Sequence, residues 1–246
     1  MSSPASNYQK EMHNNLEFFA TWLPATRIQL GDFGTFEAGS FRTVGTLEEL
    51  GIKYGSSEKG TPYSLSYSAG TERTVGGTAE ASSTVPIVSS QVSIRFTKAG
   101  GYVFEATGVR NVELTDRMAL ATKILESYAK NEWKKGWFLV DGLCEAASAT
   151  IIVSEDASSE IVFNATANVP LGSLPLANPK LGLTISSQSG RIVHVVAEKN
   201  LTPLYTCLRV YDPVFGTASL HPARDAQSSA TSVPMVRVNI DDLLNS

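Results

Sequence analysis

The chain has 246 residues, 42% of them hydrophobic and only 18% charged, with a formal net charge of −4. That length supports one large domain or two small ones around a sizeable core. The composition excludes a disordered chain or a coiled coil, and the slightly acidic balance leaves no global basic footprint for nucleic acid.

Tyr8, Met12, Leu16 and Phe19 recur at helical spacing and predict a helix from about Asn7 to Thr21, stopped by Pro24. Residues 25–54 are punctuated by Gly31, Gly34, Gly39, Gly45 and Gly51 and read as short strands and tight turns. Within them, Thr46-Leu47-Glu48-Glu49-Leu50 reads as one helical turn capped by Thr46 and closed by Gly51. After a polar loop at 55–62, residues 63–107 read as strands. Gln91–Thr97 alternates, with Val92, Ile94 and Phe96 on one face. Ala99-Gly100-Gly101 predicts a hairpin turn into a return strand with Tyr102, Phe104 and Ala106 on one face and Val103, Glu105 and Thr107 opposite.

Thr115 or Asp116 caps a central helix running to about Trp133, its stripe marked by Met118, Ala121, Leu125 and Tyr128 with Leu120 and Ile124 beside it. Lys134-Lys135-Gly136 ends it, with cations where the helix dipole favours them. Two buried strands, 137–140 and 147–154, follow. Ile161, Phe163 and Ala165 then alternate with Val162 and Asn164. A second hairpin, 181–186 with 191–198, is expected across Gln188-Ser189-Gly190, and a last strand from Leu204 to Tyr211. Residues 216–234, rich in Ser, Ala, Thr and Pro, read as a linker. The expected organisation is a single α+β domain over 1–215, with 216–246 as linker and C-terminal segment. The domain is a mixed, mostly antiparallel twisted sheet with two hairpins, flanked by an N-terminal and a central helix.

The start, MSSPASNYQK, has no basic region followed by an apolar run, and no stretch reaches 18 consecutive apolar residues. A cytoplasmic chain without a membrane-spanning helix is expected. Cys144 and Cys207 stand apart and read as buried thiols, not a disulfide framework or zinc site. Asp32-Phe33-Gly34 matches the metal-binding triplet of kinases but precedes any nucleotide lobe. Gly31, Gly34 and Gly39 miss the GxGxxG spacing. His13, His194 and His221 fall on a helix, a strand and the linker, and nothing marks a triad. Asp141 with Glu145, and Asp241 with Asp242, read as solvated surface acids. The expectation is a protein that is no enzyme and carries no cofactor or metal.

Two patterns suit a membrane surface. Arg117, Lys123, Lys130, Lys134 and Lys135 concentrate cations in 116–135, where each would add about 1 kcal/mol against anionic headgroups; a solvated helix face has the same pattern. Trp133 and Trp137 suit either a bilayer interface or a core. The alternating segments 91–107 and 161–197 have the period of transmembrane β-strands, and equally that of a half-buried sheet.

Four features combine: an N-terminal helix followed by a glycine-punctuated segment ending TVGTLEELG (43–51); an alternating hairpin followed by the 116–133 helix; the run WKKGWFLVDGLCEAASATIIVS (133–154); and a short C-terminal extension. Over roughly residues 8–211 this layout resembles the pore-forming gasdermin family in its compact bacterial form. Bacterial members typically carry a lipidated cysteine near the N-terminus; MSSPASNYQK has none. The resemblance implies a latent cytoplasmic monomer whose tail (Met235, Val236, Val238, Ile240, Leu243 and Leu244) is pinned to the body. An activating protease would cut the 216–232 linker, at Arg224 if trypsin-like or Asp225 if caspase-like. Released subunits would meet anionic lipids of the inner membrane through Arg117, Lys123, Lys130, Lys134 and Lys135 and form a homo-oligomer. Both hairpins would extend into a barrel, inserting Val92, Ile94, Phe96, Tyr102, Phe104, Ile161, Phe163, Ile185, Val193 and Val195. The outcome would be membrane permeabilisation and cell death, for example in antiphage defence. The alternative is a soluble cytoplasmic binding or regulatory module that uses its sheet to hold a protein or small ligand.

Overall fold

The spacing of Tyr8 and Met12 does build a helix, α1 (Pro4–Leu16), but it stops earlier than the stripe predicts. Glu17 turns left-handed (φ 59), and Phe19–Ala20 leaves the helix as β1. The computed structural model describes residues 4–22, 27–37, 40–79, 88–165, 176–178, 182–211 and 218–222. The further elements are β2 (Asp32–Glu37), β3 (Ser40–Thr46), β4 (Tyr63–Ala69), β5 (Thr71–Ala79), β6 (Val88–Phe96), β7 (Tyr102–Glu113), α2 (Arg117–Ala129), β8 (Phe138–Ser154), β9 (Glu160–Ala165), β10 (Thr184–Ser189), β11 (Ile192–Tyr211) and β12 (Ser219–Pro222). The fold is α+β, with two sheets whose described ladders are antiparallel.

The larger sheet is built on β4-β7-β8-β11; β2 and β3 extend it beside the start of β8, and β1 and β12 pair with β11. The smaller sheet has the order β5-β6-β9-β10. Neither hairpin expected from the sequence forms. β6 pairs with β5 and β9, not with β7, and β10 pairs with β9, not with β11. The glycine turns at 99–101 and 188–190 carry the chain from one sheet to the other, and the pairs joined within the small sheet are β5–β6 and β9–β10.

Strands expected as separate pieces are continuous. Apart from Trp137 and Arg191 at their starts, 137–140 and 147–154 belong to the 17-residue β8, and 191–198 and 204–211 to the 20-residue β11, which absorbs Leu201-Thr202-Pro203 through register shifts. Asp141 keeps β8 intact because its carboxylate is satisfied: it accepts from the Thr206 hydroxyl at 2.8 Å and lies 3.4 Å from Arg117. It is buried, not a solvated acid. Part of the expected linker, residues 219–222, is β12.

β7 and β8 are buried on both faces, which is why their alternation is blurred into apolar runs. Tyr102, Phe104, Ala149, Ile151 and Val153 pack under Tyr8 and Met12 of α1. Val103 and Ile152 point the other way, against the small sheet. A separate cluster joins Phe33, Leu47, Leu120, Ile124, Trp133 and Leu139 below α2. α2 buries Leu120, Ile124 and Ser127; of the expected stripe, Leu125 and Tyr128 are half-buried against the same cluster and Met118 is 87% exposed. Phe33 of the kinase-like triplet is core, 4.9 Å from Trp133, so this Trp and Trp137 (4.8 Å from Phe33) serve packing. The turn at 46–51 forms as expected, with the Thr46 N–H donating to Glu49 at 2.8 Å and the Glu49 N–H to the Thr46 hydroxyl at 3.3 Å.

Candidate functional site

The four strands of the small sheet are continuous in the chain with four of the large one: β4 runs into β5, β6 into β7, β8 into β9, and β10 into β11. The lateral order is the same on both sides, β4-β7-β8-β11 against β5-β6-β9-β10. The small sheet is therefore the large sheet's upper end folded over along one crease. The crease consists of Gly70, residues 97–101, residues 155–159 and residues 190–191.

Each crossing contains one left-handed residue: Gly70 (φ 64), Gly100 (φ 74), Ser158 (φ 64) and Gly190 (φ 75). Three are glycine, which adopts this conformation at little cost and returns to an extended one equally well. Ser158 has no such freedom, and a left-handed non-glycine residue costs about 1–2 kcal/mol. Backbone bonds lace the crease laterally: Thr97 N–H to Gly70 O at 2.9 Å, Gly100 N–H to Ser154 O at 2.8 Å, Ser158 N–H to Phe96 O at 2.8 Å and Glu155 N–H to Arg191 O at 2.9 Å. The Arg191 guanidinium lies 2.9 Å from Asp156 and 3.2 Å from Glu155. Its hydrogen bonds hold the Asp156 carboxyl below the usual carboxylate range.

Register passes through the centre of the crease unchanged. Tyr102 pairs with Val153 below it, and Arg95 with Glu160 above: seven residues back on one strand, seven forward on the other. The outer strands differ. From Ala69–Tyr102 to Thr71–Phe96 the pairing shifts by four residues, and from Ile192–Ser154 to Ser189–Glu160 by three.

The ten residues singled out for insertion divide between three environments. Val92, Ile94, Phe96, Ile161 and Phe163 form the core between the sheets, with Val103, Ile152 and Leu176. Tyr102 and Phe104 lie on the far face of the large sheet, against α1. Val193 pairs with Val153 on the same ladder; it and Val195 are half-buried, and Ile185 is exposed. Of the five cations, Lys123 is exposed on α2 and Lys130 at its C-cap. Arg117 pairs with Glu113 at 2.8 Å, Lys134 sits 5.6 Å over the Trp137 ring, and Lys135 is also engaged. Arg224, Asp225 and the tail residues Met235, Val236, Val238, Ile240, Leu243 and Leu244 lie outside the described residues.

Between the sheets is a cavity of about 250 Å³. Phe163, Leu176, Leu183, Ser148, Thr150 and His194 line it. His194 lies 5.2 Å from the Phe163 ring, and its Nε2 has no hydrogen-bond partner among the described residues. Burial pushes its pKa below the ordinary 6.5. The unfolded chain then binds more protons than the folded one in mild acid, so His194's full contribution is present above about pH 6.5 and declines as pH falls through the depressed value. The melting temperature should drop from about pH 7 to about pH 5 more steeply for the natural chain than for His194→Gln. Equal slopes would mean that the imidazole stays hydrated between the sheets.

Cys144 and Cys207 are both buried free thiols, as expected, and burial pushes Cys144 up to about 12. Among the described residues, no group of three or more His, Cys, Asp or Glu is arranged to hold a metal ion, and no helix is long and apolar enough to cross a membrane. The crease residues Gly70 and Ser158 and the inward-facing Arg73 were not singled out from the sequence, whereas Gly190 was read as part of a hairpin turn and Glu105 as one member of a strand face. The visible signal of Gly70 and Arg73 is a lone glycine or charge within an otherwise alternating run; Ser158 has none.

The chain matches no protein-family description and no curated protein. Among solved structures, the cryo-EM structure of the gasdermin A3 membrane pore aligns with 95% of this chain and 100% of that one, at 10% identity and a TM-score of 0.35. This is a distant structural resemblance.

Proposed function

We propose that this chain is a latent pore-forming protein whose small sheet stores two membrane-inserting hairpins, β5–β6 and β9–β10. The observation that carries this reading is the crease: the strand order is the same on both sides of a fold made at Gly70, 97–101, 155–159 and 190–191. Straightening it turns eight strands into four long antiparallel ones without changing neighbours.

The faces suit insertion. β6 and β9 put Val92, Ile94, Phe96, Ile161, Phe163 and Ala165 on one side and Gln91, Ser93, Arg95, Glu160 and Asn164, with Val162 among them, on the other. Turned outward, the apolar side meets lipid and the polar side lines a water-filled lumen. β5 and β6, at nine residues each, reach the lower end of the roughly 9–11 a tilted spanning strand needs. Arg73 breaks the apolar side, but it sits just beyond the crease, at the rim of the band, where an arginine costs about 0–1 kcal/mol. β4–β5 and the start of β10–β11 are outer strands. One copy's β4–β5 would run antiparallel to the next copy's β10–β11, and a closed ring of copies removes the open edges that lipid does not tolerate.

In this reading the protein has no catalytic step. It waits in the cytoplasm as a monomer, a protease cuts the 216–232 segment at Arg224 or Asp225, and Lys123, Lys130 and their neighbours meet anionic headgroups of the inner membrane. Cell death follows from permeabilisation. Dye release from anionic liposomes tests it, comparing the intact chain with one cut between Thr217 and Thr231. Leakage after cutting alone is expected. A folded, cut chain that releases no dye overturns the reading. It would leave the ligand-binding alternative, which the inter-sheet cavity favours.

A further inference from the structure

The connection between β9 and β10 does not simply loop outside the molecule. Leu176 and Ala177 lie between the sheets, 3% and 2% exposed. Three side chains of the large sheet hold their backbone there. The Leu176 N–H donates to a Glu105 carboxylate oxygen at 2.5 Å, the Thr150 hydroxyl donates to the Leu176 carbonyl at 3.0 Å, and the Ser148 hydroxyl donates to the Ala177 carbonyl. Glu105 and Thr150 are opposite each other in the β7–β8 ladder, and Thr107 and Ser148 form the next inward pair, their hydroxyls 2.7 Å apart. The second oxygen of Glu105 accepts from Arg73 of β5 at 2.8 Å.

One buried carboxylate thus holds both hairpins: β5–β6 through Arg73, and the β9–β10 connection through Leu176. A carboxylate excluded from water needs such partners, and charge-assisted bonds to it are the strong ones. Straightening would break both contacts, because each joins a part that moves to a strand below the crease. We propose that Glu105, with Thr150 and Ser148, is a clasp that keeps both hairpins folded, and that its opening precedes straightening. The second clause rests on the pore-forming reading; the first does not.

Hydrogen–deuterium exchange of the full chain tests the clasp without a membrane. Glu105→Gln keeps the shape but removes the charge, and should speed exchange about tenfold in β5, β6, β9 and β10, with β2, β3 and α2 unchanged. Ser148→Ala with Thr150→Val removes the donors to residues 176 and 177, together with the Thr107–Ser148 hydroxyl contact, but keeps the Glu105–Arg73 pair, so it should speed β9 and β10 by about the same factor and leave β5 alone. It carries the test by itself if Glu105→Gln does not fold. Unchanged exchange, or an equal rise in every element, overturns the clasp. Dye release from anionic liposomes by the cut variants separates the two claims. Faster hairpin exchange with faster release supports both. Faster exchange with release at the natural rate overturns the clasp's role in opening. Faster exchange with no release from any cut chain, natural or variant, keeps the clasp and overturns the pore-forming reading.

Discussion

Phe163→Ala is expected to cost about 3–5 kcal/mol, and the loss should fall on the small sheet first. Phe163 is 2% exposed and sits at the middle of β9, paired with Val92 on β6 and Ile185 on β10. Its ring fills the space between the sheets, and truncation enlarges a cavity that is already there. The lower core around Trp133, Leu120 and Phe33 does not touch it. Two probes therefore separate. Fluorescence reports the lower core through Trp133 and Trp137 and the α1 side of the large sheet through Trp22, none of them in the small sheet, and far-ultraviolet circular dichroism reports all strands. In urea, the circular dichroism midpoint should fall well below the fluorescence midpoint in the variant. Coincident transitions moving together would show that the two sheets unfold as one unit.

Gly190→Val should lower stability by about 2–3 kcal/mol and raise the rate of dye release from the cut chain. At Gly190 (φ +75) a Cβ would stand 2.2 Å from the Ser159 hydroxyl oxygen and 2.9 Å from its Cβ. Valine there suffers both the clash and the left-handed backbone, whereas in an extended strand it is among the preferred residues. The substitution thus penalises the folded crease and favours the straight form. Ser158→Gly runs the other way. It relieves a left-handed serine, gains about 1 kcal/mol in the folded form, and weakens an extended strand at that point. Slower release from the serine variant and faster release from the valine variant would place straightening at the crease on the route to leakage. A valine variant that is less stable but releases dye no faster would remove it from that route.

Much of the local structure was legible in the sequence. Val92, Ile94 and Phe96 alternate because β6 buries one face, and Thr46, Glu49 and Gly51 spell out their turn. The pairing was not legible. A glycine turn between two alternating runs reads as a hairpin when only neighbours in sequence are weighed. At Gly100 and Gly190 the same turn carries the chain between layers, and β6 finds its partner in β9, some seventy residues on. The lateral partner decides between these outcomes, and it leaves no local mark. Glu105 was hidden for a related reason. In Tyr102-Val103-Phe104-Glu105-Ala106 it looks like the polar member of a half-exposed strand. In fact the strand is buried on both faces, and the charge is tolerated because Arg73 and the Leu176 N–H reach it. α1 ended early because β1 wins residues 19–20 for the edge of β11, which helical spacing does not encode.

The unequal registers at the crease bear on kinetics. The central strands already share one ladder, so they can unbend as a hinge with every pair conserved. The outer strands cannot: one must slide by four residues and the other by three, breaking and remaking cross-strand bonds as they go. An odd slide also exchanges the two sides of a strand, so the β10–β11 margin meets the harder rearrangement. On the proposed pore-forming reading, the activation barrier to opening would therefore belong to the margins, the same strands that a neighbouring copy would engage. A neighbour offering its own edge supplies replacement bonds while the old ones break. If the chain forms pores as proposed, opening by this route would accelerate with each subunit that arrives, and a lone molecule would stay shut.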